Sequence, residues 1–144
     1  MDEIDEGMTA EPRRYETASA CVDATIERVG RRIVLGLPLA LGKANRIANA
    51  FYDRACEDPG LDLTIYTALT LEVPGAPNAL AARLLDPIAE RLYGGYPELH
   101  YARDRRAGRL PGNVTVREFF LPPGSLLNNA AAQQNYVSAN YTHA

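Results

Sequence analysis

The stretch that most constrains the fold is Ile33–Asn45, IVLGLPLALGKAN. An apolar run rich in branched residues ends in a glycine, crosses a proline-containing turn, and passes through Gly42-Lys43 into helical spacing. A strand that feeds a helix through a glycine turn belongs to α/β layers. The run RRIVLGL is predicted to be a strand buried on both faces, as strands of parallel sheets are. Beyond Gly42, Ala44, Ile47, Ala48, Phe51 and Ala55 share one helical face, with Arg46, Asn49, Asp53 and Arg54 mostly off it. EDPG at 57–60 ends that helix, because proline and glycine together cannot continue it.

The same alternation runs along the chain. Upstream, Ala18, Cys21, Val22, Thr25, Ile26 and Val29 fall at helical spacing, and Gly30 is placed as a C-terminal cap. LDLTIYTALTL at 61–71 puts Leu61, Leu63 and Ile65 on one side of a second strand. A turn, VPGAPN, leads to a helix over Ala79–Tyr93 with an apolar face of Leu80, Leu84, Ile88 and Leu92. Asp86-Pro87 inside it reads as an N-cap with a first-position proline, which predicts a kink or two short helices. Residues 94–113 read as a long surface excursion. VTVREFFLPPGS gives a third strand ended by Pro122, Pro123 and Gly124, and NNAAAQQNYVSAN a short helix with an asparagine cap. The expected fold class is α/β with a parallel sheet. Residues 1–15 are polar and acidic without an apolar period, and are expected to be a disordered arm. Residues 16–144 are expected to form one domain.

Composition narrows the function. With 144 residues, 47% of them apolar, the chain can build one modest core. Its 15 basic and 18 acidic residues give a net charge of −3, without the basic surface of a nucleic-acid binder. Arg103, Arg105, Arg106 and Arg109 cluster, but no aromatic platform is interleaved with them, so they read as a solvated loop. Cys21 and Cys56 fit neither a metal spacing nor a disulfide framework, and buried free thiols in a reducing cytoplasm are expected. No apolar run approaches the roughly 18 residues a membrane span needs, and the acidic N-terminus is no signal peptide.

The Gly42-Lys43 turn resembles a phosphate loop and fails the test for one. A Walker loop needs G-x-x-x-x-G-K-[ST], with the hydroxyl holding magnesium. Here five residues separate Gly36 from Gly42, and Ala44 follows the lysine. The dinucleotide pattern G-x-G-x-x-G is also absent. Two readings stay open: a tight turn that needs glycine for its dihedral angles, or a helix start where free N–H groups and Lys43 favour an anion.

Other chemistry is sparse. His100 and His143 sit in expected loop and terminus, and Ser19, Ser125 and Ser138 lack a nucleophile elbow. Glu72, Glu98 and Glu118 could each move a proton, but spacing pairs none of them. Tyr136 and Tyr141 flank Asn140 in a polar, aromatic cluster. No metal site is expected.

Two stretches carry a resemblance. GLPLALGKANRIANAFYDRACEDPGLDLTIYTALTLEVP and YPELHYARDRRAGRLPGNVTVREFFLPPGSLLNNAAAQQNYVSANYTH, with the linker between them, resemble the N-terminal region of bacterial proteins of the acetyl-CoA hydrolase/CoA-transferase family. The resemblance runs from about Ile33 to His143. It implies two related α/β halves, of which this chain supplies part of the first, a partial three-layer parallel-sheet domain of the CoA-transferase-like fold. It implies an activity on acyl-CoA thioesters, in which a glutamate attacks the thioester and a glutamyl-CoA intermediate follows. A glycine-rich loop would stabilise the oxyanion. In the family both lie in the C-terminal half, past position 144, and no glutamate here matches, so no catalytic residue is carried over. What transfers is Gly36, Gly42, Lys43 and Asn45, with the Phe119-Phe120 and Gln133-Gln134 segments, as borders of the acyl or CoA cleft. Coenzyme A thioester is implied as substrate, with no covalently bound cofactor. The implied partners are acyl-CoA, a small carboxylate, and the C-terminal half or a second copy.

The end SANYTHA, without a cap or charged tail, is expected to continue into more protein. Three functions follow: the N-terminal portion of an acyl-CoA hydrolase or transferase, a CoA- or anion-binding small subunit that pairs with a catalytic chain, or an unrelated anion-binding module.

Overall fold

The computed structural model describes residues 12–122, 124–139 and 142. The expected arm therefore lies almost wholly outside the described residues, as do Pro123, Asn140, Tyr141 and His143. Helix α1 spans Ala18–Val29, strand β1 Arg32–Gly36, helix α2 Asn45–Glu57 and strand β2 Asp62–Thr67. Helices α3, Ala79–Tyr93, and α4, His100–Arg106, precede strand β3, Val114–Glu118, and α5, Ala130–Gln134, closes the order. The fold is α/β, with a small open sheet of three parallel strands in the order β1-β2-β3.

Local chemistry accounts for most boundaries. Thr17 accepts the Ala20 N–H at the start of α1, Asn78 accepts those of Leu80 and Ala81 at α3, and Asn129 accepts that of Ala132 at α5. Gly30 ends α1 at φ 89°, where a side chain would be strained. Asn113 Nδ2 donates to the carbonyls of Ala55 and Leu61 at 2.8 Å each. One amide thus fixes the end of α2 to the start of β2, and the turn before β3 to both.

The core forms on one face of the sheet. Ile33, Leu63, Ile65, Val114 and Val116 point from the strands to Val22 of α1, Phe51, Tyr52 and Ala55 of α2, and Tyr101 and Ala102 of α4. The other face carries Arg32, Val34, Thr64, Tyr66, Thr115 and Arg117, all half-buried or exposed. Two expectations are corrected here. β1 is not buried on both faces, since Val34 is 70% exposed. The third layer is not formed among the described residues. Apart from Val34 and Tyr66 that face is polar, so covering it would remove little apolar area from water.

The helices hold further differences. α3 runs unbroken through Pro87, so two short helices do not form. It buries no residue, and its apolar stripe, Leu80, Leu84, Ile88 and Leu92, is exposed. The expected excursion at 94–113 contains α4, whose Tyr101, Ala102 and Arg105 are buried. Of the cysteines, Cys21 is half-buried and Cys56 exposed, so neither is the buried thiol expected. No helix of the described residues is long and apolar enough to cross a membrane.

A candidate anion cleft at the carboxyl end of the sheet

In open α/β sheets, ligands gather beyond the carboxyl ends of the strands. Here the chain is strained at that edge. Ala40, Leu69 and Leu126 are the non-glycine residues with positive φ among those described, at 49°, 43° and 55°. They lie in the segments that follow β1, β2 and β3. Such conformations persist where the surroundings over-determine them, and they cluster at binding sites. Backbone hydrogen bonds tie the first two together: Ala40 N–H donates to Leu69 O, and Leu69 N–H to Phe120 O.

The β1–α2 turn is where glycine was expected to matter, and the structure gives it another job. Gly36 and Gly42 do not take positive φ; Ala40 does. A methyl group on Gly42 would meet only Pro38, at ordinary contact distance. The reading that the turn needs these glycines for their dihedral angles is therefore corrected. Lys43 is 7% exposed, and its ammonium donates to the carbonyls of Pro38 at 2.7 Å, Ala68 at 2.6 Å and Leu69 at 3.4 Å. It clamps the turn after β1 to the end of β2. Burial, with some repulsion from Arg105, lowers its pKa to about 8, against the attraction of Glu118. Asn45 is buried likewise, donating to Pro97 O at 2.7 Å while its Oδ1 has no partner.

A second cluster of buried polar groups lies beside Lys43. Arg105 of α4 and Glu118 at the end of β3 are 3% and 2% exposed, and Nη1 meets Oε2 at 2.6 Å. The other oxygen of Glu118 accepts the Thr70 N–H at 2.7 Å, and Thr70 Oγ1 bonds the Tyr101 hydroxyl at 3.1 Å. Arg105 is thus no member of a solvated loop. Its neighbours are also paired, Arg106 with Glu72 at 2.7 Å and Arg109 with Asp104 at 2.9 Å. Burial pushes the Glu72 carboxyl above the usual range, against the pull of Arg106 and Arg105. His100 heads α4 and meets Asp53 at 2.7 Å, away from this cluster.

Over this cluster opens a cleft of about 430 Å³. Thr70, Glu72, Arg105, Arg106 and Ser125 supply its polar lining, and Leu71, Leu121, Pro122 and Leu126 its apolar lining. Two buried donors in that lining have no hydrogen-bond partner, Arg105 Nε and Ser125 Oγ. Buried polar atoms without a protein partner are uncommon in folded proteins, and an ordered water or a ligand satisfies them. Among the described residues no group of acidic, histidine and cysteine side chains could hold a metal ion.

Gly36, Gly42, Lys43, Asn45, Phe120 and Gln133, the cleft residues expected from the sequence, do not line this cleft. Gly36, Lys43 and Phe120 lie along the same carboxyl edge. Phe120 is half exposed, while Phe119 is buried and stacks on Tyr66 at 5.8 Å. Exposed Gln133 donates to Leu126 O at 3.2 Å and so supports the cleft rim from α5. Sequence reading named Arg105, Arg106, Glu72 and Ser125 but gave none of them a place in a site. The signal available was the arginine cluster, whose carboxylate partners are remote in sequence. Comparison with family models, curated proteins and solved structures gives no match.

Proposed function

We propose that this chain is the N-terminal portion of an acyl-CoA hydrolase or CoA-transferase, a partial CoA-transferase-like α/β domain whose partner region supplies the catalytic glutamate. The cleft at the carboxyl edge of the parallel sheet supports this reading most strongly. It combines two guanidinium groups with an apolar wall, and ligand pockets pair a few placed polar groups with apolar surface in this way. The substrate is a coenzyme A thioester with a small carboxylate as product or second substrate, in the cytoplasm. The remaining half of the protein, or a second copy, completes the site.

The chain's own carboxylates support a binding role. Glu118 accepts from Arg105 and Thr70, and Glu72 is paired with Arg106. Both are engaged in ion pairs with arginines of α4, which supports a role in holding the cleft together rather than in attack on a thioester. The same observation favours a second reading, a CoA- or anion-binding small subunit that works beside a separate catalytic chain.

Thiol release separates binding from turnover. The purified chain is expected to release no CoA thiol from acetyl-CoA above the uncatalysed rate. Turnover that disappears in Glu72→Gln would place the nucleophile inside this chain and overturn the assignment.

A further inference from the structure

Among the described residues, four large apolar side chains left open to water lie in one row on α3. Leu80, Leu84, Ile88 and Leu92 are 77%, 69%, 48% and 69% exposed. The helix rests on the domain through another side, where Ala82, Leu85, Ala89 and Tyr93 are half-buried. Contiguous apolar surface of this kind marks a place where another molecule docks.

Area, charge and symmetry together select what covers it. The row exposes roughly 500 Å² of apolar side chain, so two such rows remove about 1,000 Å² from water, the lower bound of a specific interface. The charges of α3 are two acids, Asp86 and Glu90, and two bases, Arg83 and Arg91, so a second α3 meets no net repulsion. A strongly charged partner would find no complementary field there. Successive members of the row are four residues apart, so the row maps onto itself when the helix is turned end for end. Leu80 then meets Leu92 of the second copy, and Leu84 meets its Ile88. Such a contact is two-fold symmetric and closes at two copies.

Arg91 fixes the sense of the pair. It follows Leu84 by one heptad and so lies on the same side of the helix as the row. In a parallel pair the two Arg91 side chains would face each other. End for end they are about 15 Å apart along the axis, beyond the screening length at physiological salt. Rows at i and i+4 mesh at a crossing angle of about 50°, which puts Leu84 and Ile88 at the centre of the contact.

We propose that α3 pairs antiparallel with α3 of a second copy of this chain, with Leu84 and Ile88 at the centre. The inference concerns α3 and not the cleft, and does not depend on the acyl-CoA reading.

Sedimentation equilibrium of the full chain at neutral pH, from about 1 to about 300 µM, tests it. The mean mass is expected to rise from the 15.7 kDa of one chain and to level at twice that, with half-association near about 10 µM, as suits an interface of this size. Leu84→Glu and Ile88→Glu each put a carboxylate at the centre of the contact. Both positions are exposed in the single chain, so the fold is expected to stay intact by circular dichroism. Each substitution is expected to weaken association about thirtyfold or more, as loss of a central anchor does. Orientation is read by disulfide trapping in a Cys21→Ser, Cys56→Ser background. There Leu80→Cys is expected to link to Leu92→Cys when the two variants are mixed, in preference to itself. A chain that stays single at about 300 µM leaves the row to a different protein and overturns the proposal. Association that Leu84→Glu and Ile88→Glu leave unchanged, growth past two copies, or Leu80→Cys linking to itself in preference would each overturn it too. Association without CoA binding would leave the α3 interface standing and count against the acyl-CoA reading. CoA binding by a chain that stays single would do the reverse.

Discussion

Glu118→Ala is expected to lower the unfolding free energy by about 3–5 kcal/mol, the usual consequence of removing one partner from a buried ion pair. The carboxylate and the Arg105 guanidinium are 2% and 3% exposed, so water cannot replace what is lost. The substitution also strips the Thr70 N–H of its acceptor. The pair ties α4 to β3, and the Thr70 bond ties both to the end of β2. Urea denaturation followed by circular dichroism measures the effect. The double substitution Arg105→Met, Glu118→Leu removes both charges together and is expected to recover most of the loss. A change below about 1 kcal/mol in Glu118→Ala, the range of exposed pairs, would mean that the pair is open to solvent.

Lys43→Met is expected to cost about 2 kcal/mol, because it keeps the apolar stem but leaves buried carbonyls of Pro38 and Ala68 without a donor. Its pH dependence is the sharper test. Burial holds the folded-state pKa at about 8, below the 10.5 of an unperturbed lysine. Between those values the unfolded chain binds more protons than the folded one, so this group makes stability rise as pH goes from about 8 to about 10. Below pH 8 the ammonium is charged in both states and its contribution is level. Other groups act in the opposite direction. Cys56, Tyr52 and Tyr101 have pKa values raised by burial, Tyr101 to about 12, and each favours the fold less as the unfolded side chain begins to ionise. These groups are common to both proteins, so the difference between wild type and Lys43→Met isolates the lysine. That difference is expected to widen from pH 8 to pH 10. A difference that stays constant would show that the ammonium keeps an ordinary pKa.

Local signals in the sequence were enough for much of the fold. The spacing of Ala48, Phe51 and Ala55 marks α2, and branched runs closed by glycine or proline mark β1 and β3. An asparagine three residues before a free N–H marks the start of α5. These features act within a few residues of themselves. α4 was missed because four of the seven residues in HYARDRR are charged, and its burial comes from packing Tyr101 and Ala102 on α2 and the sheet. The site was read less well for the same reason. Lys43 looked like a ligand cation because the carbonyls of Ala68 and Leu69, some 25 residues on, are invisible to local spacing. Arg105 looked solvated because its partner lies 13 residues away on a different element. α3 shows the converse case. Its stripe of leucines is a strong amphipathic pattern, and pattern alone does not say what, if anything, covers it.

The most direct test of a CoA-binding cleft is a map of amide chemical-shift changes as free CoA is titrated into the isotope-labelled chain. Saturable shifts are expected at Thr70, Leu71 and Glu72, at Arg105 and Arg106, and at Leu121, Ser125 and Leu126. Saturable shifts confined to surfaces away from the carboxyl ends of β2 and β3, or none at all, would contradict the assignment of this cleft to an acyl-CoA ligand.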